Sequence, residues 1–145
     1  MRFNGKWLEC TDRTLRPVVD GALIHPDGTV ETFPFLIDTG ADSTVLSYQA
    51  VAYLGAEVET GDGPVLEGVG GSVQSVRVTT RFWLLSTAGQ TIPLGGPLLG
   101  RPYPAGDDHC ILGRDLLGHF AVVVDAPTRT VLLLTAPHRY VIQES

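Results

Sequence analysis

The sequence contains no cluster of Lys or Arg, and its 10 basic residues against 16 acidic ones leave a formal net charge of −6. Nucleic acid and anionic membrane surfaces both require a basic footprint, so neither is expected as a partner. No apolar run approaches the length of a bilayer span. The opening Met1-Arg2-Phe3-Asn4-Gly5-Lys6-Trp7 has no apolar block of the secretory kind. Cysteine is scarce: Cys10 and Cys110 make no disulfide framework, and two reduced thiols in a cytoplasmic protein are expected. His25, His109, His119 and His138 are scattered without metal-ligand spacing, so neither a metal nor an organic cofactor is expected. No G-x-S-x-G elbow occurs, because Gly70-Gly71-Ser72-Val73-Gln74 lacks the final Gly. Neither cysteine has the surroundings of a nucleophile, and Trp7 and Trp83 read as packing residues.

Glycine and proline, by contrast, are plentiful. The 145 residues include 17 Gly and 10 Pro, a load of backbone breakers that argues against long helices and for short strands joined by tight turns. The length permits one domain, and 43% apolar residues supply a core for it. No run of like charge, repeat, linker or low-complexity segment interrupts it, which argues against disorder.

Arg16–Ile24 and Val30–Ile37 are strand-like apolar runs flanking His25-Pro26-Asp27-Gly28-Thr29, whose Asp-Gly is a strong hairpin signal. Pro34 predicts an edge or bulge in the second run. Ser43–Tyr53 predicts a strand turning into a short helix, and Ser72–Leu85 predicts strands around Val73, Val76, Val78, Phe82 and Leu84. Three Pro and four Gly in Gly95–Asp108 predict a long loop. Ile111-Leu112-Gly113 reads as the end of a buried strand, Arg114–His119 as one or two helical turns, and Phe120–Leu134 as a hairpin turning at Asp125–Arg129. The fold class expected is mostly β: a single closed barrel or sandwich with one short helix near its C-terminal part. Residues 1–15 read as an extension, 16–135 as the domain and 136–145 as a tail.

The segment richest in chemistry is Phe35-Leu36-Ile37-Asp38-Thr39-Gly40-Ala41-Asp42-Ser43-Thr44-Val45-Leu46. An acid after three apolar residues is carried toward the interior, where a charged carboxylate is costly without a partner or backbone N–H groups. Such acids are candidates for proton transfer. Asp-x-Gly is also a common turn at a strand end, and composition alone leaves both possibilities open.

The run Leu36-Ile37-Asp38-Thr39-Gly40-Ala41-Asp42 resembles the active-site motif of aspartic proteases, and its Ala-Asp extension resembles the retropepsin branch. Ile111-Leu112-Gly113-Arg114-Asp115-Leu116-Leu117 is similar to that branch's second signature, two apolar residues and Gly leading into a helix that begins with Arg. The resemblance spans about residues 16 to 135 and implies the acid protease fold and an aspartic endopeptidase activity. It implies Asp38, Thr39 and Gly40 as catalytic residues, Thr39 bonding across a dimer axis and Gly40 allowing close approach of water and substrate. It also implies substrate contacts from Ala41 and Asp42, and an ion pair, buried or half-buried, between Asp42 and Arg114. Glu67-Gly68-Val69-Gly70-Gly71-Ser72 becomes the candidate flap, with Gly68, Val69, Gly70 and Gly71 over the substrate. These glycines equally suit a plain tight hairpin, while a phosphate loop is excluded because no Lys follows.

The dyad chemistry needs two Asp-Thr/Ser-Gly triplets, and one is present. Asp20-Gly21-Ala22, Asp27-Gly28-Thr29 and Asp62-Gly63-Pro64 lack the pattern and read as turns. A second copy of the chain is therefore expected to supply the second Asp38, with a peptide or protein as substrate. The alternative is a dimeric binding or assembly module of the same fold without turnover. Retroviral members are shorter and end differently; here Asp38 and Gly113 lie 75 positions apart, and the Gly95–Asp108 segment accommodates the excess. The apolar strand Val131-Leu132-Leu133-Leu134 is the expected dimer sheet.

Overall fold

The computed structural model describes residues 1–68, 70–104, 106 and 108–145. In chain order the strands are β1 (Arg2–Asn4), β2 (Lys6–Glu9), β3 (Leu15–Ile24), β4 (Val30–Ile37) and β5 (Val45–Leu46), then α1 (Tyr48–Leu54) and a 3-10 turn at Ala56–Val58. β6 (Glu59–Gly68), β7 (Gly71–Leu85), β8 (Thr91–Gly100), β9 (Cys110–Leu112), α2 (Arg114–Leu117), β10 (Phe120–Asp125) and β11 (Thr130–Thr135) follow. Among the described residues the strands form a three-stranded sheet, β1-β11-β10, and an eight-stranded one, β2-β3-β4-β9-β5-β8-β7-β6. An added β3–β7 pairing folds the larger sheet over on itself, giving a sandwich rather than a strictly closed barrel.

Asp27 makes the β3–β4 hairpin: its carboxylate accepts the Thr29 N–H and hydroxyl, and Gly28 takes φ +90°. Those hydrogen bonds hold the Asp27 carboxyl below its ordinary pKa. At the centre of the sandwich the Phe35 and Phe82 rings stack with centroids 5.0 Å apart. Gly21 in β3 is what admits them, since a Cβ there would run into the Phe35 ring. Around this pair lie Val19, Leu23, Leu46, Leu54, Leu84 and Leu112, all buried.

α1 is capped twice at its start. The Ser47 hydroxyl accepts the Ala50 N–H, and the Asp108 carboxylate accepts the N–H groups of Tyr48 (2.8 Å) and Gln49 (3.0 Å). Its Ala50, Val51 and Leu54 turn inward. Both cysteines are free thiols. Cys110 is buried beside Ser47, and burial pushes its thiol pKa up.

Three expectations differ from the structure. Residues 1–15, read as an extension, carry β1 and β2, which pair with β11 and β3. Gly95–Asp108 is not one long loop, because its first part is β8, laddered to β7 through Gly100. Val131–Leu134 lies in β11, the middle strand of its sheet, so both its edges are already taken by β1 and β10. It has no edge left to pair with another chain.

Replacing Gly21 by Ala forces the Phe35 ring off its stack. The expected cost is about 1–3 kcal/mol of stability, measured by urea denaturation.

Candidate active site

Two distant strands place the Asp38 loop. β4 and β9 run parallel, with Ile37 opposite Leu112, and the Asp38 N–H continues the ladder to the Leu112 carbonyl at 3.2 Å. Where they pair, both strands are apolar and interior: Phe35, Ile37, Cys110 and Leu112 are buried. The chain leaves β4 at Asp38 and turns back at once, the Ala41 N–H reaching the Asp38 carbonyl. Inside the turn the Gly40 N–H donates to the Asp38 carboxylate at 3.0 Å. Gly40 needs no left-handed backbone; a Cβ there would stand 3.3 Å from Asp38 Oδ1, so any side chain crowds the carboxylate.

The returning limb is fastened to the start of α2. The Arg114 N–H donates to the Ala41 carbonyl (2.9 Å) and the Asp115 N–H to the Asp42 carbonyl (3.2 Å). Gly113 lies so close to Ser43 that a Cβ would collide with the Ser43 carbonyl group and come within 2.9 Å of the Thr44 nitrogen. Thr44, fully buried, is the hub. Its hydroxyl accepts the Gly113 N–H (3.1 Å) and donates to Asp115 Oδ1 (2.7 Å), while its own N–H donates to Asp115 Oδ2 (3.0 Å). Thr44 and Asp115 had no assigned role in the sequence. The one clue was their placement inside the two motifs, because residues 71 positions apart carry no local signal of contact.

The remaining site residues sort as follows. Asp38 and Ala41 are half-buried, whereas Thr39, Gly40 and Asp42 are exposed. Asp38 thus sits at the surface of the single chain rather than deep within it. Arg114 donates to the Asp42 carboxylate and, at 3.2 Å, to the Thr39 carbonyl. Its side chain is 56% exposed and that of Asp42 83%, so the pair is not buried in one chain and contributes about 0.2–1 kcal/mol there. Gly68, Gly70 and Gly71 form the tip of the β6–β7 hairpin, where Gly71 takes φ +109°. Val69, between them, lies outside the described residues.

That hairpin outruns its support. β8 pairs with β7 from Val76 onward, so Gly71–Ser75 are held by β6. Gln74 and Ser75 stiffen its base by bonding the Gly63 and Pro64 carbonyls. A cavity of about 190 Å³ joins this base to the loop, lined by Pro64 and Arg77 on one side and Ser43, Thr44 and Asp115 on the other. Among the described residues no group of three or more His, Cys, Asp or Glu is placed to hold a metal ion, and no helix is long and apolar enough to cross a membrane.

Comparison with known proteins adds the following. A sequence profile described as "Aspartyl protease" matches residues 22–94, about half the chain, including Asp38 and the β6–β7 hairpin. Among solved structures, the chain is similar in fold to a retropepsin-like aspartic protease from Rickettsia conorii. The TM-score is 0.52 at 15% identity, over 92% of this chain and 88% of that one. EIAV protease complexed with the inhibitor HBY-793 matches at 28% identity and a TM-score of 0.49, over 71% of this chain and 86% of that one. No curated protein sequence matches significantly.

Substituting Thr44 by Val keeps the volume and removes the hub hydroxyl, stranding the Gly113 N–H and one oxygen of Asp115. A loss of about 1–3 kcal/mol is expected in chemical denaturation.

Proposed function

The chain belongs to the aspartyl protease family, whose members hydrolyse peptide bonds, and from this we propose that it works as a homodimer whose catalytic pair is one Asp38 from each copy. The observation that carries this is the single triplet. Asp20 lies within β3 and binds the Lys6 ammonium at 2.7 Å, Asp27 caps the β3–β4 turn, and Asp62 lies in β6 at the hairpin base. None follows a buried strand into a fastened loop as Asp38 does, so one chain holds half a catalytic pair.

Two-fold symmetry brings the halves together. Two facing carboxylates cannot both ionise at contact distance, so the pair shares a proton. The ionised member takes a proton from a water held between them, and the other donates to the scissile carbonyl oxygen. Water attacks directly, with no covalent enzyme intermediate and no need of a metal or organic cofactor. The apparent pKa values of such a pair belong to both members together.

Other residues fall into place around this chemistry. The exposed Thr39 hydroxyl, which makes no hydrogen bond among the described residues, meets its counterpart across the axis. Gly40 leaves room beside the carboxylate for water and substrate. Ala41 and Asp42 line the path of an extended peptide, and the hairpin tip at Gly68, Gly70 and Gly71 closes over it and excludes water. Val65 and Val73 are 55% and 40% exposed on that hairpin, which favours substrates with apolar side chains beside the scissile bond.

Asp38→Asn is expected to lower kcat/KM on a peptide library by at least about 10²–10⁴-fold, with the circular dichroism spectrum and sedimentation unchanged. Cleavage that survives this substitution overturns the mechanism, and binding of peptides without cleavage by the unaltered chain identifies a binding module instead. Specific activity should also fall on dilution through the dimer dissociation constant.

A further inference from the structure

The cavity of about 190 Å³ between the hairpin base and the Asp38 loop has the size of one side chain. Sites that enclose a whole small molecule are larger, about 300–1,000 Å³. Pro64 of β6, Arg77 of β7, and Leu98 and Leu99 of β8 contribute to its wall, with Ser43 and Asp115 from the loop and α2. Asp38, Thr39 and Gly40 do not line it. A substrate side chain held there therefore belongs to a residue removed from the scissile bond.

Two charged side chains line this cavity, and they differ in what they have left to offer. Asp115 is committed within the chain. Its Oδ1 accepts the Thr44 hydroxyl (2.7 Å) and the Leu116 N–H (2.9 Å), and its Oδ2 accepts the Thr44 N–H (3.0 Å). Three of its roughly four acceptor sites are thus filled. Arg77 is exposed, and among the described residues its guanidinium makes no hydrogen bond or ion pair. All of its N–H donors are unspent.

The sheet around Arg77 supplies no acid to occupy it. Arg77 stands opposite Gly61 of β6 and Leu99 of β8, and strand alternation puts Ser75 and Thr79 on its face. Asp62, at the hairpin base, is opposite Val76 and so belongs to the other face. Arg114, the other arginine of the site, is already held by Asp42 and the Thr39 carbonyl. Ser43 is half-buried, and its hydroxyl makes no hydrogen bond among the described residues. The cavity therefore offers a free guanidinium and a free hydroxyl between apolar walls.

A carboxylate on a methylene stem fits that combination. We infer that Arg77 is a specificity-determining residue, selecting peptides that carry a glutamate at a position removed from the scissile bond. The stem packs on Pro64, Leu98 and Leu99, while the carboxylate accepts from the Arg77 guanidinium and the Ser43 hydroxyl. A lysine in the same place brings its ammonium against Arg77 and finds the Asp115 oxygens largely taken, so basic residues are disfavoured. Arg77 lies on the part of β7 braced by both β6 and β8, so its backbone is already fixed. This rests on the peptide-cleaving function proposed above and adds to it the charge of the substrate. Two copies bring two such cavities to one site, so the preference can fall on either side of the bond.

The test uses extended peptides with an apolar pair at the centre and Glu, Gln or Lys at each outer position in turn. Binding is measured at pH 7, where Glu is ionised, by fluorescence anisotropy on the Asp38→Asn chain. Cleavage of the same peptides is followed by mass spectrometry on the unaltered chain across pH. At one or more outer positions Glu should bind about tenfold more tightly than Gln, and Lys more weakly than either. In the same background Arg77→Met should erase the Glu-over-Gln ratio and Arg77→Glu should turn it in favour of Lys, with thermal unfolding showing both variants folded. No Glu preference at any position, or one that survives both substitutions, overturns the inference. Peptides cleaved without such a preference leave the protease reading standing and remove the role of Arg77. Peptides bound with the expected ratios but never cleaved support the cavity's selectivity and remove the protease mechanism. No binding of any peptide overturns both.

Discussion

The close contact of two remote backbones, Gly113 against Ser43 and Thr44, is the constraint on which the rest of the site depends. β4 and β9 can lie side by side, and α2 can start where it does, because residue 113 has no side chain. Once that approach is made, the Thr44 hydroxyl stands between the Gly113 N–H and the Asp115 carboxylate, and the backbone bonds from Arg114 and Asp115 secure the limb that returns from Asp38. The loop is therefore fixed mainly by backbone groups, one buried hydroxyl and the Asp115 carboxylate. The Arg114–Asp42 pair, solvent-exposed in a single chain, adds little to that fixation. Covering it would remove the screening, and the same two residues would then matter far more.

The parts legible in the sequence were those written in local chemistry. Asp27-Gly28 announces its hairpin through an Asx-type turn, the Phe120–Leu134 hairpin is bounded by turn residues, and Asp38-Thr39-Gly40 follows its apolar strand in a pattern that few other segments share. The short helix at the end of Ser43–Tyr53 lies in a run without Gly or Pro. What was illegible depends on distant partners. β8 reads as a loop because Gly95, Gly96, Pro97 and Gly100 are breakers in isolation. In the fold Gly100 makes room for Val51 and Val78, and Gly95 lies against Arg81, so these glycines answer to tertiary crowding.

The same holds for the N-terminal strands. Arg2–Asn4 and Lys6–Glu9 are too short to show a period, and they are ordered by β11 and β3, which lie far along the chain or across a turn. β11 misleads in the opposite sense. Its apolar residues on both faces suggest a strand awaiting a partner, whereas both its edges are already filled within the chain. Hydrophobic pattern reports that a strand is interior to something, and it does not report whether that something is its own chain or another.

The distance between the aspartate and its fastening has a consequence for the order of synthesis. Asp38 is synthesised long before Gly113, Arg114 and Asp115 exist, and at about 5–20 residues per second the interval is about 4–15 s. Through that interval β4 has no β9 to lie against and Thr44 has no carboxylate to bind. The Asp38 loop is thus assembled late, from the two ends of a long excursion. A chain released early, or nicked between β8 and β9, would carry the triplet without the means to hold it in shape.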